Sequence, residues 1–475
     1  MFMKRFFEPK LAQASYLIGC PGARAAVVID ANRDIDQYIR AAEAEGVRIT
    51  HVTETHIHAD YVSGSRELAQ RTGATLLLSD EGDAMWKYAF AAEAGATLVY
   101  NGDTFDVGAV RLEVLHTPGH TPEHIAFLVT DTAAATEPIA LVSGDFIFVG
   151  DVGRPDLLEK AAKFEGTMEV GARTLWTSLQ KAQDWPDWLQ IWPGHGAGSS
   201  CGKGISAIPH STLGYERRFN WAFQVKSEGE FVEAVLSGQP DPPKYFAEMK
   251  RVNKEGPRVL HGFHRPDLRQ VDALADALSR GALVVDTRSA GAYAAGHIPG
   301  TINIPLNGSF TTWAGWLVPY TQDFYLIVDD AVGTVVETAV RDLAMIGLDR
   351  IGGYFDAEVI DAWAAGERPL ASTPQVTAKD LRASLSHGAV TLIDVRNDGE
   401  WLGGHIEGAR HIPLGRLGDR VGEIPTDKPI VVQCAAGARS AIGASLLRSR
   451  GLDNVINLVG GIGAWVTDGL PTVKP

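Results

Sequence analysis

Short apolar runs, each stopped by a polar residue or a glycine, dominate the first half of the chain. AAVVID at 25–30, VRITHVTETH from 47, TGATLLLSD from 72, VRLEVLH from 110, HIAFLVTD from 124 and IALVSGD from 139 all follow this pattern. Runs of this length, rich in β-branched residues, predict strands. The stretch from about Asp34 to Glu45 predicts a helix between two of them. Strands with interspersed helices predict a layered α/β domain whose functional residues sit on loops at strand ends. Near 238–258 the text turns polar and proline-rich (GQPDPPKYFAEMKRVNKEGP), which predicts a domain boundary.

Beyond that boundary the chain repeats itself. ALVVDTRSAGAYAAGHIPGTINIP at 282–305 is echoed by VTLIDVRNDGEWLGGHIEGARHIP at 390–413, and IGLDRI at 346–351 by RGLDNV at 450–455. A period of about 105 residues suits a duplicated small domain better than a solenoid unit. Each copy reads helix, strand, loop, strand, helix, a small doubly wound α/β unit. The divisions predicted are 1–245, a linker at 246–265, and sister domains at 266–372 and 373–475.

Composition narrows the function. The chain has 475 residues, 45% hydrophobic and 21% charged, with a net charge of −15. So acidic a surface argues against nucleic acid or an anionic membrane as partner, and no apolar run reaches the ~18 residues of a membrane span. Glu8-Pro9-Lys10 interrupts the N-terminal MFMKRFF before a signal-peptide core can form. Three cysteines, Cys20, Cys201 and Cys434, cannot make a disulfide framework and fit a reducing, cytoplasmic compartment.

Candidate chemistry clusters at the predicted strand ends. Thr55-His56-Ile57-His58-Ala59-Asp60-Tyr61 offers two histidines and a carboxylate from one turn, a donor set that suits zinc or iron. His116-Thr117-Pro118-Gly119-His120-Thr121, Ser143-Gly144-Asp145 and Trp192-Pro193-Gly194-His195-Gly196 each place a His or Asp beside a glycine. In this order the four segments resemble the metallo-β-lactamase superfamily over roughly residues 1–240, which implies an αββα sandwich. Its hydrolases normally bind two metals. Carried over, His56, His58 and His120 would form one site, and Asp60, residue 61 and His195 the other, with Asp145 bridging.

Residue 61 is Tyr where the binuclear pattern has His, and a phenol of pKa about 10 is a poor substitute. The departure resembles the persulfide dioxygenase branch, in which two histidines and one aspartate hold a single iron. That resemblance implies one Fe(II) per chain on His56, His120 and Asp145, a facial triad with open positions. His58, Asp60, Tyr61 and His195 would then orient ligands or bond substrate. Arg154, in a segment resembling the family's Arg-x-Asp, is either a substrate contact or a loop brace paired with Asp156. Arg217 aligns with a family arginine near the thiol substrate's carboxylate, or is a helix-surface residue. Cys201 is either a redox-active thiol near the iron or an inert loop cysteine. His51, His116 and His124 read as structural.

In the last domain, Val431-Val432-Gln433-Cys434-Ala435-Ala436-Gly437-Ala438-Arg439-Ser440 runs from a strand into a helix. Backbone N–H groups, a helix N-terminus and Arg439 there would stabilise a thiolate. With the repeated DxR and GHI segments this resembles a rhodanese-type sulfurtransferase over about 373–475. The C-x₄-R spacing, one residue shorter than that of phosphatases of related fold, implies persulfide chemistry with Cys434 and Arg439 as catalytic residues and Gly437 at the substrate. In the middle copy the same alignment sets Asp330 opposite Cys434 and Val335 opposite Arg439, and no cysteine lies between 202 and 433. That copy is expected to be a spacer or docking surface without transfer activity.

The whole resembles bacterial persulfide dioxygenase–rhodanese fusions that clear sulfide. The resemblance implies oxidation of a small-thiol persulfide (glutathione, coenzyme A or similar) by O₂ to sulfite, then thiosulfate formation through Cys434. Two alternatives stay open: a binuclear zinc thioesterase of glyoxalase II type fused to rhodanese, and a non-enzymatic sulfur carrier or persulfide sensor. A homo-oligomer is compatible with the sequence.

Overall fold

The structure is a computed structural model and describes residues 1–475 apart from 158, 160–165, 240 and 330–332. Asp330, set opposite Cys434 by the repeat, lies outside the described residues. Contacts divide the chain into two compact units, Met1–Gly262 with Ala344–Gly347, and Phe263–Leu343 with Leu348–Pro475.

The first unit holds two six-stranded sheets. One runs in chain order through Phe2–Glu8, Gln13–Cys20, Ala25–Ile29, Arg48–Thr53, Thr75–Ser79 and Thr97–Val99. The other is ordered Ser211–Thr212, Gln190–Pro193, Ala140–Gly144, Ile125–Asp131, Val110–His116 and Thr104–Val107. The predicted strands are all present. Successive residues of a strand face opposite sides, and here both sides are apolar. Tyr16, Ile18, Val27 and Ile29 meet Leu112, Val114, Phe127 and Val142 between the sheets. Leu17, Val28 and Val52 face outward against Tyr38 of helix Asp36–Ala44 and Leu68 of helix Ser65–Thr72. Leu141 and Ile191 face outward against Leu175 and Leu179 of helix Thr167–Ala182 and Phe231 of helix Glu228–Leu236. The result is an αββα sandwich with strand ends gathered at one edge.

The second unit contains two parallel sheets, as the repeat requires. Its four-stranded sheet is ordered Ile302–Asn303, Leu283–Asp286, Phe324–Val328, Ile351–Asp356. The five-stranded one is ordered Gln375–Val376, Val455–Leu458, Ile430–Gln433, Thr391–Asp394, Arg410–His411. Among the described residues no helix is long and apolar enough to cross a membrane.

Candidate metal centre and sulfur-transfer loop

Four strand ends converge in the first unit. His56, His58 and Asp60 follow Arg48–Thr53, His120 follows Val110–His116, Asp145 follows Ala140–Gly144, and His195 follows Gln190–Pro193. All six side chains are buried. His56 Nε2 lies 4.0 Å and His120 Nε2 3.4 Å from Asp145 Oδ2. One donor atom from each of the three lies within 4.8 Å of the other two, a possible metal site.

The remaining ring nitrogens are tied down. Thr55 Oγ1 donates to Asp30 Oδ2 and accepts from His56 Nδ1 at 2.9 Å, while the Arg154 carbonyl accepts from His120 Nδ1 at 3.0 Å. Both Nε2 lone pairs therefore face Asp145. Burial and neighbouring imidazoles push His56 well below its ordinary pKa, and burial lowers His120. Both rings are neutral at pH 7 and free to coordinate.

Asp145 is positioned from two sides. Its backbone N–H donates to His124 Nε2 at 3.0 Å, and His124 Nδ1 bonds Thr117 Oγ1 at 2.8 Å. Gly194 passes so close that an added Cβ would sit 2.7 Å from Asp145 Oδ1. Neither carboxylate oxygen meets a hydrogen-bond donor among the described residues. A buried, unpaired carboxylate costs on the order of several kcal/mol. A cation among His56, His120 and Asp145 offsets that cost, so the residues present fit a metal.

His58 does not join this set. Its Nε2 lies 3.1 Å from Asp30 Oδ1 and its ring rests on Tyr61, centroids 4.5 Å apart. Burial opposes its charge, but Asp30, with Glu54 and Asp60 near, outweighs that and its pKa is pushed up to about 9. The ligand role that the binuclear pattern implies for His58 is thus replaced by an ion pair. The Tyr61 hydroxyl donates to the Asp30 carbonyl at 3.3 Å and is also withdrawn. Asp30 in turn accepts the Thr55 N–H at 2.7 Å, so His58 and Tyr61 brace the turn that aims His56.

His195 and Asp60 form a second set. His195 Nε2 lies 3.4 Å from Asp60 Oδ2 and 3.5 Å from Asp145 Oδ1. Cys201, buried, joins them: one donor atom from each of Asp60, His195 and Cys201 lies within 4.8 Å of the others. The sequence resemblance paired Asp60 with His195, but Cys201 as a third donor beside them was not foreseen. The available signal was a tyrosine at a donor position together with a cysteine six residues past His195.

The two arginines read as either substrate contacts or structural residues are both bonded within the protein. Arg154 is buried and paired with Asp156 through two bonds of 2.7 Å; it also donates to Ser200 O at 3.0 Å and, through its backbone N–H, to Cys201 O at 3.3 Å. It braces the loop of Cys201 and the ring of His120 together. Arg217 donates to Asp187 at 2.5 Å and to the carbonyls of Ala182 and Trp185, closing the end of helix Thr167–Ala182. The structure does not bring Arg217 to the metal set. A cation at a helix C-terminus satisfies its orphan carbonyls.

In the second unit Cys434 ends strand Ile430–Gln433, buried, and its Sγ accepts the Gly437 N–H at 3.1 Å. Helix Ala438–Ser449 starts directly after the loop. The Cys434 and Ala435 carbonyls accept from Ile462 and Gly463 at 2.8 and 2.9 Å, at the start of helix Gly461–Thr467. That approach requires glycine at 461, where φ is +57° and a Cβ would lie 2.1 Å from Cys434 O. Arg439 points to Glu400, which accepts both terminal guanidinium nitrogens at 2.6 and 2.7 Å.

The sister copy separates scaffold from chemistry. Arg288 pairs with Asp286 and donates to Gly296 O, as Arg396 pairs with Asp394 and donates to Gly404 O. The repeat sets Ala292 opposite Glu400 and Val335 opposite Arg439. The DxR pair persists in a copy that has no cysteine, so it serves the fold. The Glu400–Arg439 pair goes with the cysteine.

An αββα sandwich with His and Asp donors at its strand ends, followed by two parallel α/β units, defines the class. The metallo-beta-lactamase superfamily matches residues 9–195, and the rhodanese-like domain matches 270–351 and 377–468. The chain belongs to the metallo-beta-lactamase superfamily and carries two rhodanese-like domains. It is similar to a metallo-beta-lactamase of Staphylococcus aureus subsp. aureus COL, with 46% identity, covering 75% of this chain and 99% of that one at a TM-score of 0.69. A hydroxyacylglutathione hydrolase of Rhodopseudomonas palustris (strain BisB5) is 30% identical over 50% of this chain and 80% of its own. A beta-lactamase hydrolase-like protein of Xylella fastidiosa (strain 9a5c) is 27% identical over 54% of this chain, and the match spans 60% of that relative's length.

Proposed function

We propose that the chain oxidises the terminal sulfur of a small-thiol persulfide with O₂ and converts the product to thiosulfate on Cys434. The observation that carries this reading is the set of two neutral imidazoles and one carboxylate, His56, His120 and Asp145, with Tyr61 withdrawn onto Asp30. His56, His120 and Asp145 would hold Fe(II), which would supply O₂ activation there. The chain's own groups hold the geometry: Thr55 and the Arg154 carbonyl fix the imidazoles, and His124 and Gly194 fix Asp145.

The persulfide, one O₂ and one water give the thiol, sulfite and two protons. In the second step the Cys434 thiolate attacks the sulfane sulfur of another persulfide; the new S–S bond forms as the donor's S–S bond breaks and its thiolate leaves. Sulfite then takes that sulfur, giving thiosulfate and restoring the Cys434 thiolate. The Gly437 N–H and the loop's helix N-terminus stabilise that anion. Glutathione and coenzyme A are both suitable carriers.

Cys434→Ser tests the coupling. O₂ uptake on a persulfide should persist near the wild-type rate, thiosulfate should disappear and sulfite should accumulate. Undiminished thiosulfate in the variant would refute the scheme. Likeness to the Rhodopseudomonas hydrolase favours a second reading, thioester hydrolysis by the first unit. Turnover of S-lactoylglutathione without O₂, and no O₂ uptake on persulfide, would establish it in place of the first.

A further inference from the structure

We propose that Asn253 is a positioning residue for the metal set: its side-chain amide holds the backbone of the turn that carries His56. Between strand Arg48–Thr53 and helix Ser65–Thr72 the chain forms no helix or strand, yet all of residues 54–64 except Ala59 are buried. The backbone groups of this turn must therefore find partners outside any ladder. Asn253 supplies three of them from 195 positions beyond His58. Its Nδ2 donates to the carbonyls of His58 at 2.8 Å and Tyr61 at 2.7 Å, and its Oδ1 accepts the Ser63 N–H at 2.9 Å.

These bonds complete a grip that Asp30 begins. Asp30 takes the side chains of His58 and Tyr61, and Asn253 takes their carbonyls. On the other flank, Ile57 N–H donates to Glu123 Oε1 at 2.8 Å, and Glu123 follows His120 in the same loop. The turn of His56 is thus fastened both to the loop of His120 and to helix Tyr245–Glu255, which carries Asn253. That helix lies within the stretch 246–265 expected as a linker, but for its first residue. Tyr245, Phe246 and Met249 are buried with Asn253 and seat the helix. An amide buried beside apolar side chains is costly unless its bonds are made, and here both the donors and the acceptor oxygen are used. The two carbonyls need donors, so neither a carboxylate nor an apolar side chain at 253 replaces the amide. Releasing the turn frees the backbone on which the His56 ring is aimed at Asp145.

The inference rests on the reading of His56, His120 and Asp145 as a metal set, but its test needs no persulfide turnover. The full-length apoprotein is titrated with Co(II) against a chromophoric chelator, and the visible ligand-field spectrum of the bound ion is recorded. Asn253→Asp keeps the shape and removes both donors, and Asn253→Ala removes them without adding charge. Each should bind Co(II) about tenfold more weakly than the wild type, with an altered ligand-field spectrum, well below its unfolding temperature. A residue that only supported the fold would lower the unfolding temperature and leave affinity and spectrum unchanged, and that result overturns the proposal. Should neither variant fold, the wild type decides. Co(II) loading should slow hydrogen exchange of the Ser63 amide, because coupling between the ion and the grip on the turn is reciprocal. Unchanged exchange at Ser63 overturns the proposal. Weakened Co(II) binding in the variants, in a chain that takes up no O₂ on persulfide, would refute the proposed function and leave this inference standing.

Discussion

Glu400 holds an arginine of a loop it does not belong to. Its carboxylate accepts two bonds from Arg439 and one from the Asn397 N–H at 3.0 Å. Burial works against its charge, but Arg439 and the Asn397 N–H outweigh it and hold the carboxyl below the ordinary glutamate range. The clamp is therefore complete at neutral pH and is lost as pH falls through that lowered value. Glu400→Gln keeps the volume and loses the charge, so Arg439 loses a charge-assisted fork. Thiosulfate formation should fall by about tenfold while O₂ uptake is unchanged, measured side by side. Cys434, Gly437 and Arg439 are legible in the sequence because one short segment holds them all. Glu400 was not, because its partner is 39 positions away. The repeat held the clue, since Ala292 and Val335 replace both members together.

Helix Ala438–Ser449 reaches beyond its own domain. Ser440 and every residue from Ile442 to Leu447 are buried, which leaves its middle no solvent face. It packs on Ile430–Gln433 and Val455–Leu458 of its own sheet, and on Ile302–Asn303 and Ala290–Ala295 of the sister copy. Ser445 Oγ accepts the Asn303 N–H at 2.9 Å, and Asn303 in turn holds the carbonyls of Asp286 and Arg288. The middle copy thus forms part of the wall behind the helix that follows Cys434, a packing role that the expectation of a spacer or docking surface did not contain. Small residues in the helix (ARSAIGASLLRS) hinted at burial, but not at which neighbour supplied it. Ser445→Ala leaves a buried N–H unpaired, which costs about 1–3 kcal/mol. Thermal unfolding of the unit Phe263–Leu343 with Leu348–Pro475 should shift down accordingly, with the metal content of the chain unaltered.

Across the whole molecule, two compact units carry their own cores, and only the first buries a cluster of carboxylates and imidazoles of this kind among the described residues. The set His56, His120 and Asp145 was legible as what the family resemblance implies, carried by four short motifs at predicted strand ends. Asp60 and His195 were grouped by the same resemblance, but Cys201 was not, because it lies in a glycine-rich loop with no spacing that ties it to either. Pattern along the chain does not report which loops of two stacked sheets meet. Their meeting has a thermodynamic consequence. Without a cation, the carboxylates of Asp60 and Asp145 remain buried with no donor among the described residues. A ligand that binds only the folded state stabilises it by about 4 kcal/mol when present at a thousand times its dissociation constant. Chelation should therefore lower the unfolding transition of the first unit by several degrees, on the order of 2–4 °C per kcal/mol for a domain of this size. Calorimetry of the full chain should resolve that shift from a second transition that the chelator leaves in place. Equal movement of both transitions would mean that the two units do not unfold separately. No movement of either would mean that these strand ends hold no ion.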